Sequence, residues 1–335
     1  MLSAQELLAH LESIKNKDEV CLRTPIQVFV ANIISHTLFG FSYKYDKCER
    51  LMGVVDEITE LFKEMRASKI TLIGQVFPAI YRLPFVGYMA KDRIHNMLSG
   101  TRRLVIEDCE RALKCYSPDQ EPECLVQAYF QKMQSNPNLN YDNLLNVCSD
   151  FFVAGMETTT TTLRWGTLLL ASNQETQEKI RKEILSVIGS GVALSTSYRS
   201  MMPYTNAAIN ELQRRANIVQ QNAPYRAVRG TSVGHSPVYK DAHEFRPERF
   251  LMDDGITADE EAIEQLCPLS IGKRQCAGEA LARVELFVGI VTLLQHYRVI
   301  NSKYLSEILI QQNLSFIFYF TLGCFSCPSI DATDR

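Results

Sequence analysis

The stretch from Pro268 to Leu294 constrains this chain most. It reads Pro-Leu-Ser-Ile-Gly-Lys-Arg-Gln-Cys-Ala-Gly and runs at once into Glu-Ala-Leu-Ala-Arg-Val-Glu-Leu-Phe-Val. Gly272 and Gly278 flank Cys276 in a short basic loop, and an amphipathic helical segment follows. Glycine lets a backbone come close to a flat ligand. A thiol at the start of a helix feels the positive end of its dipole, which favours the thiolate. Lys273 and Arg274 push the same way. These residues predict a thiolate presented by a tight loop, ready to bind a metal. A half-buried structural cysteine ahead of a helix fits them too, because cysteine is among the most buried residue types.

With 335 residues the chain can form one large domain or two ordinary ones. Its 46% apolar and 22% charged content is that of a soluble globular protein with a substantial core. A net charge of −3 argues against a nucleic-acid partner. Ten cysteines are scattered without framework spacing and without a secretory signal, which points to reduced thiols facing a cytosol. Cys324-x-x-Cys327 has no second pair, so a zinc site there is not expected.

Helical spacing dominates. Leu7, Leu8 and Leu11 mark a first helix over Ala4–Ser13. Thr24-Pro25 opens a second, rich in apolar residues, that stops at Gly40. Leu51–Met65, Met89–Leu113 and Cys124–Met133 read as further helices, with a proline-broken loop over Lys69–Val86. Tyr141–Ile188 is the longest helical stretch, with Asp142 as its expected N-cap. Ala207–Ala216 is a shorter helix that sets Glu211 and Arg214 three residues apart on one face.

The long stretch contains a run that violates local preference, Ala154-Gly-Met-Glu-Thr-Thr-Thr-Thr-Thr. Gly155 costs roughly 1 kcal/mol relative to alanine inside a helix. Successive threonines are stiff, and their hydroxyls compete for backbone carbonyls. Local inconsistency inside a strong element often marks a functional site. A threonine-rich surface patch with a tolerated glycine satisfies the same residues.

Taken together, these segments resemble the cytochrome P450 family of haem-thiolate monooxygenases. Ser270, Gly272, Arg274, Cys276 and Gly278 match its haem-binding loop, with Leu269 where the family usually has phenylalanine. Ala154, Gly155, Glu157, Thr158 and Thr159 match its oxygen-binding motif. Glu211 and Arg214 match its Glu-x-x-Arg pair, and Pro247-Glu-Arg249-Phe250 supplies the later arginine. The region from Val76 to Val86 resembles the loop between two roof helices of the microsomal, drug- and steroid-metabolising animal branch.

The resemblance implies a mainly α fold with a reduced small β-sheet. It implies one haem-thiolate domain over residues 1–300 and an atypical apolar tail over 301–335. Cys276 would be the axial ligand of haem b, with Arg274 and Arg226 on its propionates. Glu157 and Thr158 would manage protons. Glu211, Arg214 and Arg249 would be structural. The implied reaction inserts one oxygen atom of dioxygen into an apolar small molecule: a xenobiotic, a steroid or a fatty acid. Electrons would come from NADPH through a flavoprotein reductase docked near Lys273 and Arg274. The location would be the cytoplasmic face of the endoplasmic reticulum with peripheral membrane contact, or the cytoplasm.

Several family features are not matched. No anchor-like segment stands at the N-terminus, and the only tryptophan is Trp165, so the early Trp-x-x-x-Arg motif is missing. Twenty residues separate Arg226 from Pro247, too few for most of the family's small sheet. No charge occurs between Glu307 and Asp331, which suits a buried or interfacial tail. These departures carry an alternative expectation: a non-catalytic, truncated or splice-form relative with impaired haem binding. A helical thiol redox protein pairing Cys276 with Cys267 is a third.

Overall fold

The computed structural model describes residues 1–15, 20–67, 73, 77–85, 87–88, 92, 98–114, 116–218, 239–300 and 329–332. Its described α-helices are α1 (Leu2–Ser13), α2 (Arg23–Phe39), α3 (Glu49–Ala67), α4 (Ser99–Leu113), α5 (Leu125–Met133), α6 (Tyr141–Ser172), α7 (Gln174–Val187), α8 (Pro203–Ala216), α9 (Glu260–Glu264) and α10 (Glu279–His296). Short 3-10 turns at Thr196–Met201, Pro247–Phe250 and Gly272–Arg274 connect some of them. Strands β1 (Tyr297–Ile300) and β2 (Ser329–Ala332) pair antiparallel, Tyr297 opposite Ala332 and Ile300 opposite Ser329. The fold is mainly α with a minimal sheet.

The chain forms two compact units. One holds the described residues of 1–26 and those from 158 onward; the other holds the described residues of 27–157.

In the first unit α10 is the central element. Its residues from Glu285 to Gln295 are all buried, and α1, α7 and α8 pack on it. Leu7 and Leu11 supply the buried face of α1. The C-terminal end of α10 is tied by polar groups. Arg181 of α7 donates to the Leu294 carbonyl at 3.0 Å, placing a cation at the negative end of the helix. Gln295 donates to the carbonyls of Gly189 and Val192. Gln177 of α7 acts as a strand partner for β1: its carboxamide donates to the Val299 carbonyl at 2.9 Å and accepts from the Val299 N–H at 2.8 Å. Buried peptide groups of β1 are thereby satisfied from a helix.

Entry into α8 is fixed by Pro203 at its first turn and by Glu183, which accepts from the N–H groups of Tyr204 and Thr205. A carboxylate there satisfies orphan donors and complements the helix dipole.

In the second unit, α2 ends where Gly40 adopts φ +81°. Only a residue without Cβ takes that conformation cheaply. Asn32 of α2 clamps the chain beyond, donating to the Tyr43 carbonyl and accepting from its N–H. α3 packs against α4, where Glu57 accepts from the Thr101 N–H at 3.1 Å.

Two sequence expectations are corrected. Tyr141–Ile188 is not one helix: it breaks at Asn173, which has φ −119° and ψ 68°. There Ser172 and Asn173 side chains donate to the carbonyls of Leu168 and Leu169, competing with backbone donors. Nor does Asp142 cap α6. The Asn140 side chain does so, accepting from the Asn143 N–H at 2.8 Å. Most of the stretch ahead of Ser99 in the expected Met89–Leu113 helix, part of the Lys69–Val86 loop and most of the apolar tail lie outside the described residues.

Candidate functional site

The Cys276 loop is closed by its own backbone. The Cys276 N–H donates to the Leu269 carbonyl at 2.8 Å, and the Gln275 N–H donates to the Gly272 carbonyl at 3.0 Å. Between them Ser270 and Gly272 adopt positive φ, +64° and +77°. Glycine takes this readily, whereas for serine it costs on the order of 1 kcal/mol. Such conformations collect at functional sites. Past the cysteine, Gly278 is the N-cap of α10, and the Glu279 N–H donates to the Cys276 carbonyl at 3.3 Å. The result is an exposed Cys276 thiol in a braced loop, with Ile271 and Lys273 also exposed. Cys267, also exposed, remains a free thiol, as does Cys276.

On α6 the expected motif residues divide by face. Phe151, 41% exposed, and exposed Ala154 share a stripe with the half-buried Gly155 and Thr158, at the i, i+3, i+4, i+7 spacing of one helix side. Small residues occupy positions 154 and 155 of that stripe. Glu157, one position away from Thr158, is turned inward and buried. The helix is unbroken through the glycine, which has a packing reason: a Cβ there would lie 2.6 Å from Cδ1 of Ile34. Back-bonding from the Thr162 hydroxyl to the Thr158 carbonyl at 2.9 Å occupies one threonine of the run.

Glu211, Arg214 and Arg249 are brought together. Glu211 is fully buried and receives Arg214 through two nitrogens, at 2.7 and 2.9 Å. Arg249 stands 3.1 Å from the same carboxylate, itself 4% exposed. The Arg246 N–H donates a further bond to Glu211 at 2.9 Å. Two cations and a peptide donor thus compensate one buried anion, the condition under which such a charge is tolerated. Of the remaining site expectations, Arg226 lies outside the described residues, and of Arg274 only the backbone is described.

Sequence reading missed a buried acid, Glu285 of α10. It is 1% exposed, and burial pushes its carboxyl up to about 8, opposed by a hydrogen bond from Thr159. Its signal was available: a carboxylate between Val284 and Leu286-Phe287-Val288, inside an apolar helix.

Comparison with known proteins decides the lineage. The cytochrome P450 family model matches residues 2–235 and 227–317. The chain belongs to the cytochrome P450 family. Cytochrome P450 2J2 of Homo sapiens is 35% identical over 298 residues, covering 80% of this chain and 56% of the relative. Cytochrome P450 2U1 of Homo sapiens is 30% identical over 304 residues, covering 84% and 55%. Cytochrome P450 2J5 of Mus musculus is 32% identical over 294 residues, covering 80% and 56%. The chain therefore spans little more than half the length of these relatives.

Cytochromes P450 hold haem b through a cysteine thiolate, and the residues described here fit that ligation. An exposed sulfur stands on a loop that its own hydrogen bonds and positive-φ residues hold in shape. A soft thiolate is a ligand suited to iron. Among the described residues no group of three or more His, Cys, Asp and Glu forms another metal site.

Proposed function

We propose that this cytochrome P450 chain carries the haem-thiolate part of a monooxygenase acting on an apolar small molecule: a xenobiotic, a steroid or a fatty acid. The observation that carries the reading is the exposed Cys276 sulfur in its braced loop. Haem, when bound, supplies the redox chemistry that activates dioxygen. Cys276 would hold the iron, while Gly272 and Gly278 keep the loop free of side chains that would stand between backbone and ligand. Arg274 and Arg226 are the residues assigned to the propionates. Thr158 is the alcohol assigned to the oxygen-binding motif, with Ala154 and Gly155 as its small residues. Thr158 would hold a proton at its hydroxyl, and Glu157 is the acid assigned to proton management. Glu211 with Arg214 and Arg249 would fix the frame without touching the reacting atoms.

Electrons would come from NADPH through a flavoprotein reductase whose acidic surface meets the exposed Lys273 side of the loop. The endoplasmic reticulum, on its cytoplasmic face, is the location this reading implies. Among the described residues no helix is long and apolar enough to cross a membrane.

The test is a difference spectrum of the reduced, haem-loaded protein with and without carbon monoxide. A strongly red-shifted Soret band that disappears in Cys276→Ala is expected. Complete absence of the band would instead identify a non-catalytic relative. Thr158→Ala should keep the band yet divert reducing equivalents to peroxide.

A further inference from the structure

A cleft lies within the first unit, walled by the Thr196–Met201 turn, α8, α9 and α10, with a volume of about 540 Å³. That size is typical of small-molecule sites, which run from roughly 300 to 1,000 Å³. Its lining includes two guanidinium groups, those of Arg199 and Arg283, among hydroxyls and carboxamides. Arg283 is balanced by Glu279, at 2.9 Å. Arg199 makes a side-chain bond to the Asn206 carboxamide at 3.2 Å and has no carboxylate at ion-pair distance among the described residues. Burial and the positive charge of Arg283 both work against its protonated form. Arg199 is thus a half-buried cation near a second one, with no carboxylate of its own among the described residues.

One further lining group is unsatisfied. Gln213 of α8 is 6% exposed, and its buried carboxamide oxygen has no hydrogen-bond partner. Such a group costs about 1–3 kcal/mol when left unpaired. One turn away on the same helix, Asn210 adds a second carboxamide to the lining. Guanidinium forks match phosphate oxygens with two parallel bonds, and a phosphomonoester carries about −1.5 to −2 charge near neutrality. A protonated phosphate oxygen, or a hydroxyl on the ester's organic part, supplies the donor that Gln213 lacks.

We propose that this cleft is an anion site that binds a phosphate group, free or as the monoester of a small polar molecule, between Arg199 and Arg283. The site is separate from the Cys276 loop in the residues it uses, and it needs no haem. Ser197 and Thr196 at its rim offer hydroxyls to the remaining oxygens.

The full chain is titrated with inorganic phosphate and with AMP, at ionic strength held constant with chloride, and followed by calorimetry and by thermal unfolding. Saturable stabilisation is expected. Arg199→Gln should weaken it at least tenfold and Arg283→Gln several-fold, while Gln213→Glu should abolish it by charge repulsion. Arg283 lies partly in solvent, so its variant remains informative if Arg199→Gln fails to fold. Tighter binding of AMP than of phosphate would assign the monoester; equal binding would assign free phosphate. No effect beyond chloride, or an undiminished effect in Arg283→Gln and Gln213→Glu, would overturn the proposal. Neither readout depends on absorbance or turnover, so the outcome is independent of haem binding.

Discussion

Thr159 of α6 donates its hydroxyl to Glu285 of α10 where both side chains are almost sealed from water. One carboxyl oxygen, Oε1, is left without a hydrogen-bond partner, and burial dominates, raising the carboxyl to about 8. The unfolded chain releases this proton near pH 4.3 and the folded chain near 8, so folding takes up a proton between those values. Stability from this group is full below the lower value and is lost as pH rises toward the upper one. Glu285→Gln should therefore flatten the pH dependence, gaining on the order of 2–4 kcal/mol relative to wild type between pH 4.5 and pH 8. Urea unfolding at a series of pH values checks this; parallel curves for the two proteins would refute a neutral Glu285.

Glu211 presents the opposite balance, an anion held by two arginines and one peptide N–H. Glu211→Ala leaves Arg214 and Arg249 facing each other with little solvent to screen them. Removing one partner of a buried ion group typically costs about 3–5 kcal/mol. Loss of soluble, folded protein or a correspondingly large drop in the unfolding midpoint is expected. A change under about 0.5 kcal/mol, the range of surface substitutions, would show that the cluster contributes no frame.

These two acids show what could be read ahead of the structure. Glu211 and Arg214 share a helix face by spacing, so their pairing was legible, and a motif resemblance supplied Arg249. Glu285 belongs to no motif used in the reading, and its apolar neighbours pass for an ordinary core helix. The helices themselves were legible from apolar spacing, from Pro25 at the start of one and from Gly40 at the end of the same one. Asn173 was not, because asparagine side chains compete for carbonyls in a way periodicity does not register. Pairing of β1 with β2 and support of β1 by Gln177 are tertiary choices, made by elements far apart in sequence. The α6 motif was half legible: its resemblance named Ala154, Gly155, Glu157 and Thr158, but only packing turned Glu157 inward.

Gly155 and Gly166 sit on the same helix and should answer alanine differently. At Gly155 the new Cβ meets one side chain, Ile34, at Cδ1 (2.6 Å) and Cγ1 (3.3 Å), which another rotamer can move. Better helix propensity, about 1 kcal/mol, offsets that shift, so Gly155→Ala should be nearly neutral and should become stabilising in an Ile34→Val background. At Gly166 the Cβ would meet Leu212 of α8 at 2.4 Å and Ile290 of α10 at 3.2 Å. Two packed helices would have to yield together, an overpacking cost of about 1–3 kcal/mol. Gly166→Ala should therefore destabilise despite its propensity gain. Thermal unfolding of the single and double variants separates the two cases, and equal effects at both positions would contradict the packing account.

The buried Asp108 of α4 accepts from the Tyr43 hydroxyl, a contact between residues 65 apart in sequence. Arg50 stands 3.9 Å from its other oxygen but is drawn to Glu107, at 2.5 Å. Burial raises the Asp108 carboxyl, while the Tyr43 bond and then the arginine charges hold it down. The Tyr43 phenol is raised in turn, by burial first and by the Asp108 charge second. Because the folded carboxyl titrates above the unfolded one, its stabilisation is complete in acid and is lost as pH rises through the folded value. Tyr43→Phe removes the bond that favours the anion, so the carboxyl climbs further and the loss extends to higher pH. The variant should cost about 1–3 kcal/mol at pH 7 and less in acid, once the carboxyl is neutral with or without the phenol. Arg50→Met, which removes a half-exposed and more distant cation, should cost less than Tyr43→Phe at pH 7. Equal penalties for Tyr43→Phe at pH 7 and in acid would show that the phenol supports packing rather than the charge.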